Sequence, residues 1–520
     1  DLLYINNKNG TFTNRLAESI QHTAFSSMGV DIADINNDGL MDIIALDMMP
    51  ESNFRKKTML PPNNYNNYLN NLSFGYTHQY IRNVLQFNRG PLKPKGNPVF
   101  SEIAMMAGIE ATDWSWTPMV ADFDNDGLRD IIITNGFPKD ITDRDFMEYK
   151  ADYGVYVDKA TMLKAIPEVK LTNYAYKNKG NLSFENMTSE WGITKPTFSN
   201  GAAYADLDHD GDLDYITNNI NDVAHLYENK TDTATHRYLT VKLIGEKPNV
   251  DATGTKINYS GSNISGTYEH TPSRGYLSTV TEMVHLGLSN EPTVNLEIFW
   301  PDGKKSILKN IHTNQTITID KTKTQTAEAY FAEEIDYHPL LNKVEDLLYD
   351  TCFHNDFIDY NIDPLLIKKL SKCGQGIAVR DINGDGNDDF YIAGSIGYHG
   401  RLYTSNGEKY TRSVIQKETN KEEISPVFMD IDRDGDLDLY IGCGFAYSNI
   451  GNTLTGDVLL RNDNGIFTDI SHLLPKDYTI TTAVKIADFD ADGDIDIFVG
   501  KGHRISQYPK SEQSYLLINE

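Results

Sequence analysis

The sequence predicts an all-β protein assembled from repeated four-stranded units, and three observations carry that prediction. One nine-residue acidic pattern, Asp-x-(Asp/Asn)-x-Asp-Gly-x-x-Asp, recurs six times in 520 residues. Each copy is flanked by short runs rich in Val, Ile and aromatics, such as GVDIA before and DIIAL after the first, which read as strands. A second pattern travels with the loops: an apolar run, an Asn/Gly turn, then an aromatic start to the next run, which is hairpin grammar.

The acidic copies read DINNDGLMD, DFDNDGLRD, DLDHDGDLD, DINGDGNDD, DIDRDGDLD and DFDADGDID. Their keyed side chains, at positions one, three, five and nine, are Asp34, Asn36, Asp38 and Asp42; Asp122, Asp124, Asp126 and Asp130; and Asp206, Asp208, Asp210 and Asp214. The later three loops key Asp381, Asn383, Asp385 and Asp389; Asp430, Asp432, Asp434 and Asp438; and Asp488, Asp490, Asp492 and Asp496. Position seven, expected to offer its backbone carbonyl, is Leu40, Leu128, Asp212, Asn387, Asp436 and Asp494. Alternate oxygens around a sharp turn converge on one point, and the Gly at position six permits that turn. Clustered carboxylates repel unless a hard cation sits among them, and an all-oxygen set favours Ca²⁺. About six structural Ca²⁺ ions are therefore expected.

An EF-hand would need a bidentate Glu at position twelve and helical flanks. Position twelve is Ala45, Ile133, Thr217, Ile392, Ile441 and Val499, so the unit is strand, calcium loop, strand. A calcium loop between strands more commonly pins a hairpin than takes part in chemistry.

The hairpin pattern appears as LLYINNKNGTF (2–12), NVLQFNRG with PVF (83–100), YAYKNKGNLSF (174–184), RLYTSNGEKY (401–410) and VLLRNDNGIF (458–467). Two strands around each loop and two around each turn make a β-propeller blade. The two long spacings come from insertions at 50–80, rich in Asn and Tyr, and 136–172, with helical stretches in ITDRDFMEYKADYG and DKATMLKAIPE. Either insertion caps its blade or forms a binding surface. Residues 236–322 lack acidic loops and carry the alternating strands YLTVKLIG, TKINYSG, VNLEIFW and QTITI, a separate all-β module. Residues 323–372 read as an ordered linker before the loops resume in 373–520.

Composition narrows the function classes. The chain has 74 acidic and 47 basic residues, net −27. The keyed positions hold 22 of those carboxylates, and six bound Ca²⁺ would bring the net to about −15. That balance argues against nucleic acid. No apolar run reaches 18 residues, so none is expected to cross a membrane. Three cysteines, Cys352, Cys373 and Cys443, are no disulfide framework; Cys352 and Cys373 either pair or remain buried thiols. Calcium sites of this kind suit an extracytoplasmic setting. The chain opens mid-pattern at DLLYINNKNGTF and ends at SYLLINE, halfway through a hairpin, so a fragment is expected.

The loops resemble the FG-GAP and VCBS repeats of integrin-α-type propellers. HRYLTVKLIG, RGYLSTV (274–280), VHLGLS (284–289), WPDGK (300–304) and NQTITI (314–319) resemble the ASPIC/UnbV domain. NVDATGT (249–255) departs from that domain's usual Asn-Arg-x-Gly-x-Gly-Ala stretch, lacking the Arg and the first Gly. The combination is similar to the cartilage acidic protein family, especially large members from Bacteroidetes. That resemblance implies a secreted protein or outer-membrane lipoprotein, with residues 1–235 the last blades of one propeller and 373–520 the first of the next. In an alternative arrangement, both halves close one ring with the module inserted.

No nucleophile elbow, zinc motif or phosphate loop occurs, and the histidines, including His22, His78, His225, His236, His270, His285 and His312, are scattered. Asp113 with Trp114 and Trp116 reads either as a sugar or peptide pocket or as an aromatic strand packed between blades. The expectation is a non-enzymatic, calcium-binding surface scaffold for a protein, a glycan or outer-membrane uptake machinery. A calcium-dependent polysaccharide lyase or hydrolase and an integrin-like adhesion protein are the alternatives.

Overall fold

The computed structural model describes residues 2–59, 65–93, 96–324, 326–327, 340–341, 351, 357–371, 374–416, 421–444, 456–476 and 479–519. Most of the expected linker, and Cys352 and Cys373 with it, lies outside the described residues. The chain divides into two compact units, Asp1–His338 and Pro339–Glu520.

In the first unit, blade 1 is Val30–Ala33, Asp42–Ala45, Val84–Pro91 and Pro98–Glu102, hydrogen-bonded in that order. Blade 2 is Ser115–Ala121, Asp130–Asn135, Tyr174–Asn178 and Phe184–Asn186. Blade 3 has three strands among the described residues, Ser199–Ala205, Asp214–Asn219 and His225–Tyr227. A hairpin, Tyr4–Asn6 with Phe12–Asn14, precedes them. All pairings within blades are antiparallel, so each acidic loop joins a blade's first strand to its second. Buried side chains alternate along Val30–Ala33, as a half-covered strand requires.

The cores lie between neighbouring blades. Ile44, Leu46 and Leu85 of blade 1 pack with Val120, Ile131, Ile133 and Tyr176 of blade 2. Met119, Phe123 and Ile132 of blade 2 pack with Ala202, Tyr204 and Tyr215 of blade 3. Aliphatic runs such as DIIITN, buried along their whole length, are what strands sandwiched between two sheets demand. Both insertions carry helices. Asn53–Thr58 and Tyr65–Ser73 fall in the first, and Arg144–Tyr153 and Lys159–Ala165, capped by Asp143 and Asp158, in the second.

The module has its own core of Leu239, Val241, Ile257, Leu286, Leu296, Ile298 and Trp300. Tyr238–Ile244 lies between Val284–Gly287 and Gln315–Asp320, the latter pair parallel. Lys256–Ser260 lies between Ser265–Glu269 and Thr293–Phe299, and Lys305–His312 continues that sheet. The four sequence-expected strands are all present.

In the second unit, blade 4 is Ile377–Arg380, Asp389–Ile392, Arg401–Ser405 and Tyr410–Ser413. Blade 5 is Glu423–Met429, Asp438–Cys443, Val458–Asp463 and Ile466–Asp469. Blade 6 is Thr481–Ala487, Asp496–Lys501 and Tyr515–Leu517. Cys443 is a buried free thiol within the core between blades 4 and 5.

Candidate metal centres and the module that braces them

All six loops adopt one backbone form. The Gly at position six has φ between 85° and 97°, the left-handed region that a side chain disfavours. Position four is left-handed too, at Asn37, Asn125, His209, Gly384, Arg433 and Ala491. That second constraint is hidden in the sequence, because three of the six residues there, His209, Arg433 and Ala491, are neither Gly nor Asn.

Two keyed positions organise the turn. The position-one carboxylate accepts from the Gly N–H, as in Gly39 to Asp34 at 2.8 Å and Gly127 to Asp122 at 2.8 Å. Position nine does more than the sequence reading assigned it. One oxygen accepts from the position-two N–H, for example Phe123 to Asp130 at 3.1 Å and Phe489 to Asp496 at 2.8 Å. The other accepts from the third strand or from two residues past its end: Asn88 to Asp42, Asn178 to Asp130, Asn229 to Asp214, Ser405 to Asp389, Asn462 to Asp438 and Asn519 to Asp496, at 2.6–2.9 Å. Position nine therefore staples loop to blade, and it is buried in every copy.

Four loops bring three carboxylates together with oxygens within 4.8 Å of one another. They are Asp122, Asp124 and Asp130; Asp206, Asp208 and Asp210; Asp430, Asp432 and Asp438; and Asp488, Asp490 and Asp492. The loops at Asp34 and Asp381 have an amide, Asn36 or Asn383, at position three and so present one acid fewer. Burial, then the charges of Asp126 and Asp124, hold Asp122 well above the usual carboxylate range. Burial, then Asp124 and Asp122, do the same to Asp130. Burial pushes Asp42 up to about 7 and Asp438 up to about 6. Asp206 and Asp430 each keep a buried Oδ1 with no hydrogen-bond partner among the described residues. Crowded, buried, oxygen-only acceptors with lone pairs to spare fit a hard divalent cation, which would let them stay ionised.

Position-seven side chains also act, where the sequence reading used only their carbonyls. Asp212 accepts from Thr231 N at 3.0 Å and Asp436 from Asn464 N at 2.6 Å, each tying its loop to the following segment of its blade. Loop 2 has a counter-ion of its own. The Lys177 ammonium, from the third strand, contacts Asp124 and lies 2.9 Å from Asp126.

The module grips the loops and inner strands of the first unit. Arg129, at position eight of loop 2, donates to Asp34 O and to Thr267 O of the module, both at 2.5 Å. His285 Nε2 lies 2.7 Å from Asn125 Oδ1. Asp122 Oδ2 lies 1.9 Å from where a Cβ on Gly287 would stand, so only glycine fits there. Arg274 donates to Asp31 Oδ1 at 2.8 Å and to Ile32 O at 3.1 Å, with both charged side chains almost wholly buried. Tyr276 N donates to Thr117 Oγ1, and Ala202 N donates to Ser278 Oγ, at 3.2 and 3.1 Å. One hairpin, Ser273–Arg274 with Ser278–Thr279, thus touches the first strands of blades 1, 2 and 3.

The Asp113–Trp114–Trp116 cluster resolves into packing. Asp113 is buried and held bidentately by Arg55 at 3.0 and 3.1 Å, and Arg55 also reaches Asp140 at 2.8 Å. Trp114 stacks on Phe137 with centroids 4.4 Å apart. Of the scattered histidines, His22 and His78 meet as cross-strand partners, and His22 contacts Glu102 at 3.2 Å beside Arg82.

The family comparisons agree with this architecture. A family model described as ASPIC and UnbV matches residues 245–326, which takes in the module from Gly245 onward. One described as an FG-GAP-like repeat matches residues 1–45 and 381–441, covering the loops at Asp34, Asp381 and Asp430. No curated protein matches the chain. Among solved structures, an Agrocybe aegerita lectin that recognises non-reducing terminal N-acetylglucosamine is similar at 12% identity over 99% of this chain and 88% of that one, with a TM-score of 0.20. BBS1N, solved in complex with ARL6DN, is similar at 8% identity over 92% and 91%, with a TM-score of 0.16. Scores that low carry no argument about fold or ligand. The chain is an all-β protein that carries FG-GAP-like repeats at 1–45 and 381–441 and, between them in sequence, an ASPIC and UnbV match at 245–326.

Proposed function

We propose that the protein is a calcium-stabilised, non-enzymatic scaffold that works outside the cytoplasm and presents blade surfaces to a macromolecular partner. The carrying observation is the repetition of one oxygen-rich loop in every blade, with its position-nine carboxylate buried and stapled into the sheet. Positions one, three, five and nine would hold Ca²⁺, together with the position-seven carbonyl. The ion would supply charge compensation to carboxylates that burial otherwise protonates. The extracytoplasmic setting follows from calcium supply, and the partner class, an outer-membrane uptake complex, a glycan or another surface protein, from the family resemblance.

Thermal unfolding with calcium and with chelator tests the reading. A site saturated at a hundred times its Kd contributes about 2.7 kcal/mol, so several sites should raise Tm by many degrees. An unchanged Tm in chelator would overturn the calcium claim. Recovery of a defined partner from a mild-detergent extract of the native cell, retained with calcium and released by chelator, supports the scaffold claim; unsaturated sugar products from a polysaccharide panel overturn it.

A further inference from the structure

Among the described residues, blade 3 lacks a structural part that the complete hairpins of this chain possess. In five hairpins an aromatic residue among the first three of the outer strand stands opposite a small polar residue of the strand before it. The pairs are Asn6 with Phe12, Asn88 with Phe100, Asn178 with Phe184, Ser405 with Tyr410, and Asn462 with Phe467. Asn229 is the equivalent residue of blade 3. Its N–H reaches Asp214 at 2.9 Å, and its amide donates to Phe123 O and Leu213 O at 2.7 and 3.1 Å. Asn178 in blade 2 makes the same set, to Asp130, Ile35 O and Arg129 O, at 2.9–3.0 Å. Yet among the described residues no strand pairs with the outer edge of His225–Tyr227, and the chain passes instead to the module at Tyr238.

The seat is open as well as the edge. In blade 2, Phe184 packs beside Tyr176 in the core shared with blade 1. At the corresponding place in blade 3 lies a cavity of about 430 Å³, lined by Phe123, Trp191, Ile193, Tyr215, Tyr227 and Asn229. The register makes the correspondence residue by residue: Tyr176 faces Ile131 as Tyr227 faces Tyr215. The Tyr215 hydroxyl is buried without a hydrogen-bond partner. Leu226, 63% exposed, stands where Ala175 stands in blade 2, and the Ala175 carbonyl accepts from Met187 N just past the fourth strand at 2.8 Å. The Leu226 N–H and carbonyl therefore face the open edge, a template for a further strand.

We propose that the outer edge of blade 3 docks an extended peptide strand of a partner protein, whose Phe or Tyr side chain fills the cavity opposite Asn229. The added strand takes the place that Phe184–Asn186 holds in blade 2, with main-chain bonds giving affinity and the aromatic seat giving selectivity. The chain's own hairpins define the ligand chemistry: an aromatic residue flanked by small or polar ones, as in LSFEN and GTFTN. The proposal deepens the scaffold reading and rests on it for the existence of a partner, but not on calcium.

The test titrates the calcium-loaded full chain with the nonapeptide GNLSFENMT, the chain's own residues 180–188. Calorimetry and Trp191 fluorescence should show saturable one-to-one binding, and the same peptide with Phe184→Ala should bind at least about tenfold more weakly. Hydrogen exchange should slow at the Leu226 amide on binding. Leu226→Pro, which removes that N–H, should abolish binding. Absence of binding by the parent peptide, equal binding by the Ala peptide, or protection that appears only elsewhere would overturn the proposal. The peptide substitution cannot unfold the protein, so it decides the matter even where the protein variant fails to fold. A protein that melts earlier in chelator but ignores the peptide loses only this proposal; one indifferent to chelator that still binds the peptide loses only the calcium reading.

Discussion

Loop 2 and loop 6 carry nearly the same nine residues, DFDNDGLRD and DFDADGDID, in very different surroundings. In loop 2 the module covers positions one, four, six and eight, through contacts that include Gly287, His285 and Thr267. In loop 6, positions one to six are exposed, and position nine is buried as in loop 2. What the two share is the staple from position nine to the third strand or just past its end. Position nine is thus fixed by the blade, whereas the environment of positions one to five is set by whatever packs outside it. The repeat encodes a hairpin first and, on the calcium proposal, a graded set of candidate ion sites second.

Removing the module's grip should break that contrast most sharply. Arg274→Met leaves Asp31 buried and unpaired, a loss of about 3–5 kcal/mol that urea unfolding of the first unit would register. Arg274→Met with Asp31→Asn should recover part of it; equal destabilisation by the single and double variants would show that the ion pair is not the source.

Next in size is the staple itself. Asp496→Ala strands two backbone N–H groups, from Phe489 and Asn519, and should cost about 1.5–3 kcal/mol even in chelator. Asp488→Asn, at the exposed position one of the same loop, should change stability in chelator by less than about 1 kcal/mol while reducing the gain from calcium. If both substitutions act only when calcium is present, the separation between staple and ligand fails.

The smallest effect sharpens the comparison within loop 2. Lys177→Met removes the ammonium that contacts Asp124 and Asp126 and should tighten calcium at that loop by about tenfold, read by calorimetric titration. Unchanged affinity would mean that the lysine moves aside at no cost.

The loops, their flanking strands, the hairpins and the all-β module were legible because each rests on local chemistry: a turn glycine, a two-residue period, an Asn/Gly turn. What stayed hidden was long-range. Arg129 and Arg274 are ordinary arginines in the text, and only folding sets them against carbonyls and a carboxylate 95 and 243 residues away. The double use of position nine was hidden for the same reason, since its second donor arrives from another strand. Trp114 looked available for a ligand until Phe137, contributed by the start of an insertion, covered it. The want of a fourth strand in blade 3 among the described residues was not read from the sequence, where the hairpin pattern is expected to travel with the loops; the cavity beside Tyr215 brings it out.

The Arg274–Asp31 clasp has a consequence for how such a chain is assembled and inherited. The module begins and ends as a tidy segment of text, yet its arginine neutralises a charge laid down more than two hundred residues earlier. During synthesis Asp31 emerges more than two hundred residues before Arg274, so their ion pair forms only once the hairpin has been made. A recombination event that drops the segment would hand its descendant a buried, orphaned carboxylate. The unit is a cassette in the gene and a keystone in the protein.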